Sequence, residues 1–187
     1  QKAWLKDYKA GHNNAYIFSE DRLIDQEQPA KESYLASNTR VLPEPGYIFL
    51  ESMEGQDIHP LFLTLLSGSF AKGTRVFLSL TAKARPVWQR LSQSYQLDTS
   101  CVTLISPDSE DYGIALAQCG RLITDQPLPW YFHKGTKQRH ILLCTESLIP
   151  VTSANCLTSR HDLAKWQHTM FTCDLIVFPN KDILENY

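Results

Sequence analysis

The sequence predicts a single α/β domain with a mixed central sheet and helices on both faces. Two observations lead there. Between Tyr47 and Ile105, short apolar runs alternate with stretches whose apolar residues recur at helical spacing, and strand–helix–strand–helix–strand is the rhythm of parallel βαβ units. Beyond Ile105 the pattern changes. Residues 140–145 and 148–152 read as two strands joined tightly at Glu146-Ser147, which adds an antiparallel pair to the sheet.

Taken in order, residues 1–45 read as a polar N-terminal extension and residues 46–187 as the α/β domain. Within the extension, Tyr16-Ile17-Phe18 suits a short strand. Residues 25–33 are rich in Gln, Glu, Lys and Pro and read as a loop. Pro43-Glu44-Pro45-Gly46 marks the point where regular structure begins. Tyr47-Ile48-Phe49-Leu50-Glu51 is the first buried strand. Ile58, Leu61, Phe62, Leu65 and Leu66 follow Asp57 at helical spacing, and Gly68 or Gly73 stops that helix. Residues 74–80 form a second strand. Pro86 opens a helix that carries Val87, Trp88, Leu91 and Tyr95 on one face. Residues 101–105 form a third strand, closed by Pro107. Residues 114–123 read as a short helix or a strand, residues 126–137 as a loop, residues 162–168 as a helix and residues 174–178 as a last strand.

The chain has 187 residues, 43% hydrophobic and 20% charged, which suits one soluble domain with a sizeable core. A formal net charge of -2 excludes bulk electrostatic capture of polyanions but leaves room for a local basic patch. No apolar run approaches the ~20 residues of a membrane span. The first ten residues lack the basic-then-apolar order of a signal peptide. The five cysteines, Cys101, Cys119, Cys144, Cys156 and Cys173, are widely spaced, with no C-x-x-C pair. Free thiols in a reducing cytoplasm are the expectation, with no metal site and no cofactor.

The segment RHILLCTESLIPVTSANCLTSRHD, residues 139–162, carries the chemistry. It resembles the signature of the phospholipase D superfamily, in which a strand bears His-x-Lys, a spacer and Asp, and a hairpin return leads to a Gly-Ser-x-Asn turn. His140 stands at the histidine position, and Thr152-Ser153-Ala154-Asn155 stands where Gly-Ser-x-Asn would be. The lysine position falls on Leu142 and the aspartate position on Ser147. The resemblance implies a degenerate module with His140 and Asn155 as remnants of a catalytic pair. In that family one histidine attacks phosphorus, while lysines and asparagines neutralise the equatorial oxygens. Leu142 cannot replace an ammonium.

Beside this motif, Lys134, Lys137 and Arg139 lie next to Trp130, Tyr131 and Phe132. Cations interleaved with aromatics hold phosphate backbones and stack bases, so these residues and Ser153 are the expected phosphate or nucleic-acid contacts. Glu51 ends the first strand, on the edge where α/β sheets place ligands. Asp162 is a late acidic partner for histidine or the start of a helix. The leading expectation is a catalytically degenerate phospholipase D-like module that binds nucleic acid or a protein partner. One half-motif per chain implies a homodimer or a paired phospholipase D-like partner. The alternatives are an active, metal-independent phosphodiesterase or nuclease using His140, and an unrelated α/β regulatory domain.

Overall fold

A computed structural model describes residues 21–51, 66, 73–143 and 160–178. Six strands form one sheet: β1 (Glu44–Glu51), β2 (Arg75–Ser79), β3 (Val102–Ile105), β4 (Cys119–Thr124), β5 (Arg139–Leu143) and β6 (Leu175–Val177). Their order across the sheet is β3-β2-β1-β4-β5-β6, and every pairing is parallel. Four helices accompany them among the described residues: α1 (Asp21–Asn38), α2 (Arg85–Ser94), α3 (Glu110–Gln118) and α4 (Arg160–Thr172). The α/β fold and the helices on both faces are as expected. The mixed sheet is corrected to an all-parallel one.

Strand alternation sorts the core into two layers. Ile48, Leu50, Val76, Leu78 and Ile123 face one side, where they pack with Leu66 and with Trp88 of α2. Phe49, Leu122 and Ile105 face the other, against Ala30 and Tyr34 of α1, Tyr112 and Leu116 of α3, and Phe132. Both faces of β1 are therefore covered, which is why its stretch Tyr47-Ile48-Phe49-Leu50 is continuously apolar rather than alternating.

Local chemistry explains the helix starts. Pro86 occupies the first turn of α2, where its missing N–H costs no hydrogen bond. Ser109 caps α3 by accepting from the Tyr112 N–H, and Glu110 and Asp111 follow in the first turn, where negative charge meets the positive end of the helix dipole. At its other end α3 passes directly into β4 at Cys119. Sequence reading merged residues 114–123 into one element for that reason.

Residues 25–33, read as a loop, lie within α1, with Pro29 inside the helix. Their polarity misled because, among the described side chains of α1, only a narrow stripe is buried. Ala30 and Tyr34, one turn apart, are fully buried, and Gly113 of α3 lets the two helix backbones approach closely. Tyr34 Oη is held on both sides by one residue, donating to the His133 carbonyl at 2.9 Å and accepting from the His133 N–H at 3.0 Å. The expected strand at residues 16–18 and most of the expected helix after Asp57 lie outside the described residues; Leu66 is helical.

Candidate functional site

In a parallel sheet the strand order reverses direction where successive crossovers leave on opposite sides. Here that point lies between β1 and β4, since the chain builds outward through β2 and β3 and then returns to the other side of β1. At such a point the loops beyond the strand carboxyl ends diverge and leave a crevice, the usual ligand position of open α/β sheets. Among the described residues, four of the seven buried polar or charged side chains sit there: Glu51, Ser79, Thr124 and Asp125. Buried polar groups cost free energy unless partnered, so their concentration at one edge of the sheet marks that edge.

Glu51 is the last residue of β1, aligned with Ser79 of β2 and Thr124 of β4. Ser79 Oγ lies 3.2 Å from Glu51 Oε1, and Tyr112 Oη lies 3.1 Å from Oε2. Burial pushes the Glu51 carboxyl up to about 8, partly countered by these hydrogen bonds and reinforced by the negative charges of Asp125 and Asp108. Glu51 is thus a neutral acid at pH 7. Burial, with Glu51 next, also holds the Tyr112 phenol well above its ordinary value. The Asp125 N–H donates to the Glu51 carbonyl at 3.4 Å, which joins the ends of β1 and β4. Further along the same edge, Arg85 in the first turn of α2 donates to Ser106 Oγ at 2.9 Å, just past the end of β3.

His140 is the second residue of β5, at the amino end of the strand, and its side chain is fully buried. Nε2 lies 3.0 Å from Thr124 Oγ1. Nδ1 is buried without a hydrogen-bond partner among the described residues. Burial foremost, then the nearby Lys134 charge, lowers the imidazole to about 4, against a smaller opposing pull from Asp174. The ring is neutral at physiological pH.

Three of the sequence-predicted residues do converge, around Asp174, which immediately precedes β6. Lys134 Nζ lies 2.8 Å and the Arg139 guanidinium 3.3 Å from Asp174 Oδ1. The His140 N–H donates to Oδ2 at 2.8 Å, and the Asp174 N–H donates back to the His140 carbonyl at 2.8 Å. Burial would raise the Asp174 carboxyl, but the bonds from Lys134 and the His140 N–H outweigh it and hold the group below the ordinary carboxylate range. Lys134 and Arg139 thus neutralise an acidic residue of the same chain. Lys137 is exposed. Asn155 and Ser153 lie outside the described residues.

Strand pairing overturns the phospholipase D resemblance. That motif requires the histidine strand to be followed by an antiparallel hairpin return. Both edges of β5 are already occupied by parallel neighbours: Ile141 and Leu142 align with Ile123 and Thr124 on one side and with Leu175 and Ile176 on the other. An antiparallel partner has no place beside Ile141 and Leu142, and the expected return strand at residues 148–152 lies outside the described residues.

No protein-family model and no curated protein matches the sequence. Solved structures do match, and several of them are of the wall teichoic acid polymerase TagF. One TagF structure aligns with 97% of this chain at a TM-score of 0.55 and 13% identity. A TagF variant soaked with CDPG aligns with 86% of it at 0.57 and 14% identity. At such identity the likeness shows the fold. The chain spans about two fifths of the length of the TagF chains it matches, 42% and 39% respectively. The likeness runs to a teichoic acid polymerase rather than to a phospholipase D-like nuclease. It corrects the expected family, the degenerate nucleic-acid-binding module and the His140 phosphodiesterase, and it lends nothing to an unrelated regulatory domain. No helix among the described residues is long and apolar enough to cross a membrane.

Of the residues at the carboxyl edge, sequence reading singled out Glu51 alone. Ser79 and Tyr112 carried no local signal. Asp125 follows β4 directly and would have stood out had residues 119–124 been recognised as a separate strand.

Proposed function

We propose that this chain is one lobe of a larger transferase and binds an activated phosphate ester, of the kind represented by CDPG, along the carboxyl edge of its sheet. The observation that carries this reading is the convergence of Glu51, Ser79, Thr124 and Asp125 on the β1/β4 switch point. Two further observations support it. The fold matches TagF structures over most of this chain but under half of theirs, as one lobe of a larger protein would. Arg85 brings positive charge to the same edge, where phosphate is favoured by a guanidinium fork. Because Glu51 is neutral at pH 7, it presents no charge to repel a phosphate and acts as a hydrogen-bonding group.

Calorimetric titration with CDPG, with CDP and with inorganic phosphate tests the reading. Saturable binding of CDPG that weakens in Arg85→Ala is the expected result. Absence of binding by CDPG at millimolar concentration, or binding unchanged in Arg85→Ala and Asp125→Asn, refutes it.

A further inference from the structure

Glu51 lies where three elements meet. It ends β1, its Oε1 is bonded to Ser79 at the end of β2, and its Oε2 is bonded to Tyr112 in the first turn of α3. The Tyr112 ring is fixed from the other side, edge-on to Phe49 with centroids 5.4 Å apart and planes at 83°. Ser109, which caps α3, and Asp108, held left-handed at φ 63°, form the approach to that turn. The Glu51 carboxyl is therefore the polar link between the start of α3 and the ends of β1 and β2, beside the apolar contact of Tyr112 with Phe49.

Glu51 is 8% exposed, and the charges of Asp125 and Asp108 that act on its carboxyl are both negative. Asp125 follows β4, and Asp108 precedes α3. The groups packed around it from β2 and α3, Ser79 and Tyr112, are neutral hydroxyls. Among the described residues no countercharge acts on it, and a buried carboxylate with only two hydroxyl donors is costly, whereas the protonated acid satisfies the same partners without that cost.

We infer that Glu51, Ser79 and Tyr112 form a protonation-controlled catch, which holds the first turn of α3 against the ends of β1 and β2 while Glu51 keeps its proton and opens with release of that proton. Opening exposes the carboxyl to water, where it ionises near its ordinary value of 4.5; closing restores the burial that raises it to about 8. Between those values the closed form holds one proton more than the open form, so each unit of pH favours opening about tenfold. Above pH 8 the closed form is itself ionised and the dependence levels off. The catch is therefore tight in acid and loosens as pH rises to about 8. It does not depend on which ligand the edge accepts.

Hydrogen exchange of the amides of Tyr112 and Gly113, corrected for the intrinsic rate at each pH, reads the opening equilibrium. Wild type is expected to show an opening constant rising about tenfold per pH unit between 6 and 8 and flat beyond. Glu51→Gln, which keeps a neutral hydrogen-bonding side chain, is expected to be flat throughout. Equal slopes in the two proteins overturn the inference. A carboxyl carbon titration of Glu51 in the wild type decides the matter without any variant: a midpoint in the ordinary glutamate range overturns it, and one near 8 supports it.

Discussion

Replacing Gly113 by alanine tests whether α1 belongs to the core. A Cβ at this position would stand 1.9 Å from the Ala30 carbonyl oxygen, 2.7 Å from the Tyr34 nitrogen and 2.8 Å from the Ala30 carbonyl carbon. All three are backbone atoms, so no rotamer change relieves the clash. To restore an ordinary contact of 3.4 Å, α1 and α3 must part by about 1.5 Å, and a gap of that size forfeits most of the dispersion contact it opens. Ala30, Tyr34, Tyr112 and Leu116 all pack across this boundary. Overpacking of a close backbone approach costs about 3 kcal/mol. Alanine's better helix propensity returns about 1 kcal/mol. The net loss of about 2 kcal/mol corresponds to a fall in Tm of roughly 4–8 °C for a chain of this size. Thermal unfolding followed by circular dichroism measures it, with Gly135→Ala as the comparison, since a Cβ there meets the Gln138 side chain no closer than 3.5 Å, an ordinary contact. An unchanged or raised Tm in Gly113→Ala, with Gly135→Ala behaving alike, would refute the seating of α1 on α3.

Three further outcomes follow from the same structure. Gln138 is 2% exposed and donates its amide to the carbonyls of Leu116 at 2.8 Å and Cys119 at 2.9 Å, while its Oε1 accepts from the Gly135 N–H at 2.9 Å; Gln138→Ala strands these groups and is expected to cost about 2–4 kcal/mol in urea unfolding, and a loss below about 0.5 kcal/mol would contradict that. Asp174→Asn removes two ion pairs at the protein surface but can keep the bond from the His140 N–H, so it is expected to cost less than about 1 kcal/mol, whereas Asp174→Ala also strands that N–H and is expected to cost about 1–3 kcal/mol; equal losses would show that the backbone bond contributes nothing. His140, lowered to about 4 by burial, binds fewer protons folded than unfolded between pH 4 and 6.5, so its contribution is complete above 6.5 and is lost as pH falls toward 4. Nitrogen shifts of a ring still neutral at pH 5.5 would bear this out, and a midpoint near 6.5 would refute it.

The N-terminal segment shows why polarity is a poor guide to burial. Residues 25–33 present few apolar groups, yet Ala30 and Tyr34 enter the core because Gly113, some eighty residues later, leaves room for them. The basic loop shows the same for charge. Lys134 and Arg139 read as a run of unpaired positive charge in the sequence, and only the fold brings Asp174 beside them. The phospholipase D resemblance failed on a similar point. The order of residue types from His140 onward fits a hairpin motif, but the partner of β5 on its outer edge is β6, which arrives only after α4.

What the sequence determined by itself was local. The continuous apolar runs of β1 and β2, the Pro-started helix α2 with Trp88 inward, and Glu51 at a strand end all follow from the spacing of neighbouring residues, because backbone periodicity and solvent exclusion act over a few residues. Tertiary structure alone decided the strand order, the parallel pairing of β5 and the meeting of Glu51 with Ser79 and Tyr112, which lie 28 and 61 residues away. Those depend on which hydrogen-bonding edge meets which. Backbone edges are nearly alike in every strand, so the choice rests on packing across the whole domain, to which no short stretch of sequence has access.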